Sequence, residues 1–386
     1  MINYITIQGK KTEKSKKYTK KNTFAQVEQR VFYYRIRHNA GRICMEGSTY
    51  MKRNMMNWIN EALAAEKKKG LLVLSFPAIQ KMGITVKELI ASSDLQAQAM
   101  KIVADSTPDA LASVSMMDLS LEAEAFGSTV HFSDDEVPTV TGAIVTDEDE
   151  ADALAVPEIG AGRTQIYIDA IEKAVSLITD RPVFAGVIGP FSLAGRLMDV
   201  SEAMIYCYEE PDMVHTVLEK VVEFTIKYIN AYKAVGANGV VMAEPLAGLL
   251  SPALEEEFSC EYVKKIVKAT QEEEFLVVYH NCGNSTVQQI GSIAANGCRV
   301  LHFGNAIDMA AMLPKVPENI LVMGNVDPAG QFRNGTPESV KASTLELLEK
   351  CGSYKNYIPS SGCDIPPLTP WENISAFFEA VSEYYA

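Results

Sequence analysis

Phe275-Leu-Val-Val-Tyr-His-Asn-Cys-Gly-Asn284 is the stretch that decides how the chain is read. Leu276 to Tyr279 is a short, β-branched, uncharged run, the pattern of a strand buried on both faces. It breaks at His280, Asn281, Cys282 and Gly283. Residues two apart on a strand point to the same side, so an imidazole and a thiol leave this strand end together. A soft divalent metal takes one nitrogen and one sulfur ligand from a single segment in this way. A third ligand must come from elsewhere. Tyr357-Ile-Pro-Ser-Ser-Gly-Cys-Asp-Ile-Pro366, another strand start breaking into a Gly/Pro loop, carries Cys363. His280, Cys282 and Cys363 are therefore read as a zinc site, against the alternative that the thiols are small buried hydrophobes.

Working outward, the chain alternates between apolar runs and helical patterns. Strands are expected to begin near residues 71, 112, 183, 239, 275, 300, 320 and 357. Helical periodicity occupies the intervals, including 54–69, 86–104, 164–179, 211–235, 252–270, 286–296 and 337–351, and closes the chain over 370–385. Residues 127–161 form a long excursion with an acidic cluster at Asp147 to Asp152, read as a surface or lid segment. Eight strands, each followed by a helix, give an α/β fold of the (β/α)8 TIM-barrel type, whose sites gather at the C-terminal strand ends. A doubly wound open sheet fits less well, because no Gly-rich phosphate loop follows an early strand. The barrel brings the strand ends bearing Cys282 and Cys363 to one rim.

A chain of 386 residues that is 47% hydrophobic can bury a large core. No apolar run approaches the roughly 20 residues of a membrane span. No secretory signal pattern opens the chain, and seven cysteines without regular spacing fit a reducing compartment, so a cytoplasmic location is expected. A net charge of −14 argues against nucleic acid as a partner. Residues 1–53 nonetheless hold thirteen Lys/Arg against three Asp/Glu, leaving twenty-two basic and forty-six acidic groups in the remainder. Residues 1–50 are accordingly expected to be a basic, disordered or peripheral extension, and residues 51–386 the barrel.

Other rim positions carry chemistry. Glu244, ending Val240-Val-Met-Ala-Glu-Pro245, is a candidate general base or weak fourth metal ligand; the alternative is a carboxylate tied to backbone amides. Asp118, and Asn325 and Asp327 in Gly324-Asn-Val-Asp-Pro328, are candidates for orienting a substrate. His302 lies inside a strand and reads as a core histidine. A zinc ion with one nitrogen and two thiolate ligands keeps an open position and suits the activation of a substrate thiol.

Leu74-Ser-Phe-Pro-Ala78, Met117-Asp-Leu-Ser-Leu-Glu-Ala-Glu-Ala-Phe-Gly127, Ala243-Glu-Pro245, His280-Asn-Cys-Gly283, Gly324-Asn-Val-Asp-Pro328 and Ser361-Gly-Cys363 together resemble the uroporphyrinogen decarboxylase superfamily. Within it they look like the cobamide-dependent methyltransferases, of the methylcobamide:coenzyme M type. The resemblance covers about residues 52–386. It implies a His-x-Cys…Cys zinc motif at His280, Cys282 and Cys363, and methyl transfer between a methylated corrinoid and a thiol such as coenzyme M or a related one-carbon acceptor. The chain has no corrinoid-binding Asp-x-His-x-x-Gly segment, so the cofactor is expected on a partner corrinoid protein. The alternative activity is decarboxylation of a tetrapyrrole-type acid. Decarboxylases of the superfamily carry an Arg-Gln-Ala-Gly-Arg core near the first strand, and Leu74-Ser-Phe-Pro-Ala-Ile-Gln80 has no arginine.

Overall fold

Seven strands alternate with helices and pair in sequence order, every neighbour parallel. They are β1 Ser113–Val114, β2 Val183–Ile188, β3 Gly239–Ala243, β4 Leu276–Asn281, β5 Val300–Phe303, β6 Leu321–Val326 and β7 Tyr357–Ser361. The structure, a computed structural model, describes residues 53–386, so the expected basic extension at 1–50 lies outside the described residues. The sheet curls into an α/β barrel with helices outside, as parallel strands joined by helical crossovers must.

The sequence predicts a strand over Leu71–Phe76, and here the structure differs. The segment fills the gap between β7 and β1, with Leu71 N donating to Pro359 O at 3.0 Å and Leu111 N to Gly70 O at 2.9 Å. Beyond that point side-chain hydroxyls take the ladder positions. Val73 N donates to Ser361 Oγ at 3.3 Å, and Ser75 Oγ donates to Val114 O at 2.6 Å. The eighth stave is therefore present without a regular backbone ladder.

The helix Met55–Ala64 opens with Asn54 accepting from Asn57 N and buries Met55, Trp58, Ile59 and Ala62. These pack with Leu71, Phe184, Leu276, Val300 and Leu321, residues at the starts of the staves, so the helix closes the N-terminal end of the barrel. It stops at Ala64, short of the predicted Lys69. Lys68 instead turns inward and donates to the carbonyls of Ala62 and Lys355 at 2.6 and 2.8 Å. The pattern over 86–104 divides into two helices, Val86–Ile90 and Ser93–Ser106, the second capped by Ser92.

The excursion contains a hairpin, Thr129–His131 against Thr139–Thr141, and a short helix, Glu148–Ala153, capped by Asp147. Its Ile144 and Val145 amides donate to Leu197 O, docking it on the helix Pro190–Met198. Among the described residues no helix is long and apolar enough to cross a membrane.

Inside the barrel the two-residue alternation sets what reaches the C-terminal rim. Leu276 and Val278 line the interior, which turns His280 and Cys282 inward; Val300 does the same for His302, and Leu321 and Met323 for Asn325.

Candidate metal centre

Strand register brings the site together. Ala243, His280 and His302 are level on β3, β4 and β5. At the last residue of β4, Asn281 Oδ1 accepts from Gly283 N and Thr286 Oγ1, both at 2.9 Å, which fixes the turn carrying Cys282. The β7 loop delivers Cys363 opposite. The ligand atoms of His280, Cys282 and Cys363 all lie within 4.8 Å of one another. His280 Nε2 is 3.6 Å from Cys363 Sγ. In a tetrahedral zinc site, bonds of about 2.1 Å to nitrogen and 2.3 Å to sulfur place such a pair roughly 3.6 Å apart.

The chemistry of the donors also fits a soft cation. Cys282 is held below the usual thiol range by a hydrogen bond from Cys363, with burial acting against it. Cys363 is pushed up to about 12, by that same bond and then by burial. A soft cation held by the two sulfurs would displace their protons. His280 is buried and its Nδ1 has no hydrogen-bond partner among the described residues. Close packing depends on glycine: a Cβ on Gly304 would lie 2.2 Å from Cys282 Cβ, and one on Gly248 would lie 2.6 Å from Gly283 Cα.

Glu244 stands apart from this group of ligand atoms. It is fully buried and accepts from Phe191 N at 2.7 Å, from Ser192 N at 3.2 and 3.3 Å, and from Ser259 Oγ at 3.1 Å. Burial lifts its carboxyl to about 7 while the amide bonds oppose the rise. Its geometry is that of a carboxylate anchoring the start of the helix Pro190–Met198 to β3. Asp118 is likewise occupied, accepting from Arg163 Nη1 at 2.5 Å, Tyr167 Oη at 2.7 Å and Ser120 Oγ at 2.6 Å. Asn325 Nδ2 donates to Gly304 O and Ile307 O at 2.8 and 2.6 Å, supporting the loop behind Cys282. Asp327 caps the turn Pro328–Arg333 through Ala329 N and Gly330 N, each at 2.9 Å.

Two neighbours of the centre were not among the candidate site residues. His302 packs its ring 4.7 Å from that of His280, and its Nε2 donates to Ser361 O at 2.7 Å. Burial and then His280 pull it down to about 3, and its Nδ1 has no hydrogen-bond partner among the described residues. Asp364, next to Cys363, accepts from Met117 N at 3.3 Å through Oδ2, and its buried Oδ1 has no hydrogen-bond partner among the described residues. Burial, then Cys363, raise its carboxyl well above the usual range. Its position directly after Cys363 was the available signal in the sequence; for His302 there was none, because ring stacking joins two strands.

The profile of the family described as "Uroporphyrinogen decarboxylase (URO-D)" matches residues 73–384, and the chain belongs to that family. Its relatives carry two kinds of name. A uroporphyrinogen decarboxylase of Coxiella burnetii is 26% identical over 285 residues, 71% of this chain and 77% of the relative. The methylcobamide:CoM methyltransferase MtbA of Methanosarcina mazei is 29% identical over 276 residues, 69% and 78% respectively. Among solved structures, a methyltransferase from Methanosarcina mazei superposes with a TM-score of 0.77 at 24% identity, covering 86% of this chain and 99% of that one. A B12-independent methionine synthase from Shewanella sp. W3-18-1 shares the fold with a TM-score of 0.56 at 11% identity, covering 82% of this chain and 97% of that one.

Proposed function

We propose that the chain is a zinc-dependent methyltransferase that works with a methylated corrinoid on a partner protein and a small thiol or related one-carbon acceptor. The observation that carries this reading is the convergence of His280, Cys282 and Cys363 from β4 and β7, with ligand spacing suited to zinc. A zinc ion held there would lower the pKa of a substrate thiol and keep it nucleophilic at neutral pH. A methylated corrinoid on the partner would supply the methyl group as an electrophile, and the thiolate would supply the electron pair of the new sulfur–carbon bond while the pair of the broken cobalt–carbon bond stays with cobalt. The chain's own part would be to hold the acceptor against the three ligand residues and exclude water. Ala243 and Met323, level with His280 and His302, and Val241, two residues deeper on β3, supply apolar walls. The MtbA relatives support the corrinoid partner, since methylcobamide is in their name.

Tetrapyrrole decarboxylation is supported less. Its substrate needs several cations, whereas Leu71–Phe76 offers none and Arg163 is committed to Asp118 and Glu124. The test is zinc content by elemental analysis for wild type, Cys282→Ala and Cys363→Ala, followed by demethylation of methylcobalamin with a panel of thiols. Near-stoichiometric zinc lost in both variants is expected. A wild type purified without chelator that binds no added zinc would refute the proposal.

A further inference from the structure

Two ring nitrogens beside the metal centre, Nδ1 of His280 and Nδ1 of His302, are buried without a hydrogen-bond partner among the described residues. Buried polar atoms are costly when left unpaired, so two on adjoining rings point to a partner shared between them. The other nitrogen of each ring settles what the unpaired one offers. His302 Nε2 lies 2.7 Å from Ser361 O, with Ser360 Oγ at 3.2 Å. A carbonyl only accepts, so Nε2 carries the proton, and in an uncharged ring Nδ1 is then an acceptor. Neither partner is acidic and the ring is fully buried, which keeps it uncharged. His280 Nε2 faces Cys363 Sγ at 3.6 Å, the spacing of two ligands on one metal. A metal on Nε2 leaves the His280 proton on Nδ1, as a donor. One unpaired nitrogen donates and the other accepts.

Their spacing suits a single bridging molecule. His280 and His302 are level on the neighbouring strands β4 and β5. The two rings are turned alike, because both Nε2 atoms point to the end of β7, one at Cys363 and the other at Ser361. Their centroids are 4.7 Å apart and their planes 37° from parallel, so corresponding atoms are separated by roughly the ring spacing. That is too long for a direct bond and matches one water. Two hydrogen bonds of about 2.8–3.0 Å meeting at a tetrahedral angle span about 4.6–4.9 Å. A buried water needs at least two polar partners, and the paired donor and acceptor supply them.

We propose that His302 is a positioning residue for the metal: through one buried water its Nδ1 accepts from His280 Nδ1–H and holds the His280 ring with Nε2 on the ion. His302 is itself tied to Ser361, two residues before Cys363, so it clasps the β4 ligand to the strand end that supplies the third. A ligating histidine held this way keeps its tautomer and ring orientation, and loss of such support weakens metal binding. The inference rests on the metal reading of His280, Cys282 and Cys363, and not on the methyl transfer assigned to them.

The test is the zinc affinity of the full chain, read by competition with a chromophoric chelator, for wild type, His302→Asn and His302→Gln. The asparagine amide falls where Nδ1 stands, keeping the acceptor and losing Ser361. The glutamine amide reaches the Nε2 position, keeping Ser361 and losing the acceptor. His302→Gln should bind zinc about 10–100-fold more weakly than wild type and His302→Asn close to wild type, with circular dichroism confirming folded protein. A side chain that merely braces β7 would give the reverse order. Nitrogen NMR of histidine-labelled, zinc-loaded wild type should place the proton on Nδ1 of His280 and on Nε2 of His302. Wild-type zinc affinity in folded His302→Gln, the reverse order of the two variants, or a proton on Nδ1 of His302 would overturn the proposal. A wild type that takes up no zinc would overturn it together with the metal reading. Zinc binding weakened in His302→Gln alone, while no thiol demethylates methylcobalamin, would keep it and defeat the methyltransferase reading.

Discussion

Gly304→Ala tests the metal centre without touching a ligand. The backbone of Gly304 is outside the left-handed region, so alanine is admissible there in itself. Its Cβ, however, would stand 2.2 Å from Cys282 Cβ and 2.6 Å from Cys282 Cα, with Gly362 O only 3.3 Å away and blocking retreat. Carbon atoms in contact sit about 3.5–4.0 Å apart, so Cys282 must give way by about 1 Å or more. Metal–ligand distances tolerate only about 0.2 Å. The displaced sulfur should lower zinc affinity by at least the roughly 10–100-fold typical of lost support around a ligand. Overpacking should cost about 1–3 kcal/mol of stability. Zinc affinity is read by competition with a chromophoric chelator, the thiolate-to-metal band by cobalt substitution, and stability by urea unfolding of the metal-free chain. A folded Gly304→Ala protein with wild-type zinc affinity and an unchanged cobalt spectrum would refute the packing argument.

Arg163→Met should destabilise the fold by about 3–5 kcal/mol, because it strands the fully buried Asp118 carboxylate. Adding Asp118→Asn should restore part of the loss, and a double variant no better than the single one would contradict the pairing. Glu122 is buried and accepts from Ile188 N at 3.0 Å, and burial raises its carboxyl from 4.5 to about 8, with the amide bond opposing. A raised folded pKa means its stability contribution is complete below about pH 4.5 and lost as pH climbs through about 8, on the order of 5 kcal/mol in all. Wild type should therefore lose stability relative to Glu122→Gln between pH 5 and 8.5 in urea unfolding; parallel pH profiles for the two proteins would count against the buried acid.

The barrel and the three ligand candidates were legible in the chain because they rest on local patterns. The β-branched run of Leu276–Tyr279 specifies a buried strand, and its period of two sends His280 and Cys282 to one side. Strand counting then places Cys363 at the same rim. What the sequence could not specify were the properties that depend on neighbours from distant segments. Leu71–Phe76 reads as a strand, yet Ser361 Oγ and Ser75 Oγ take the places its ladder bonds would occupy. For Glu244 the sequence leaves open a general base or weak metal ligand and a carboxylate tied to backbone amides, and only the fold shows the amides of Phe191 and Ser192, some fifty positions earlier, donating to its oxygens. Asp118 is claimed in the same way by Arg163. Periodicity fixes which way a side chain points; desolvation and pairing, set by the assembled barrel, decide what it is free to do.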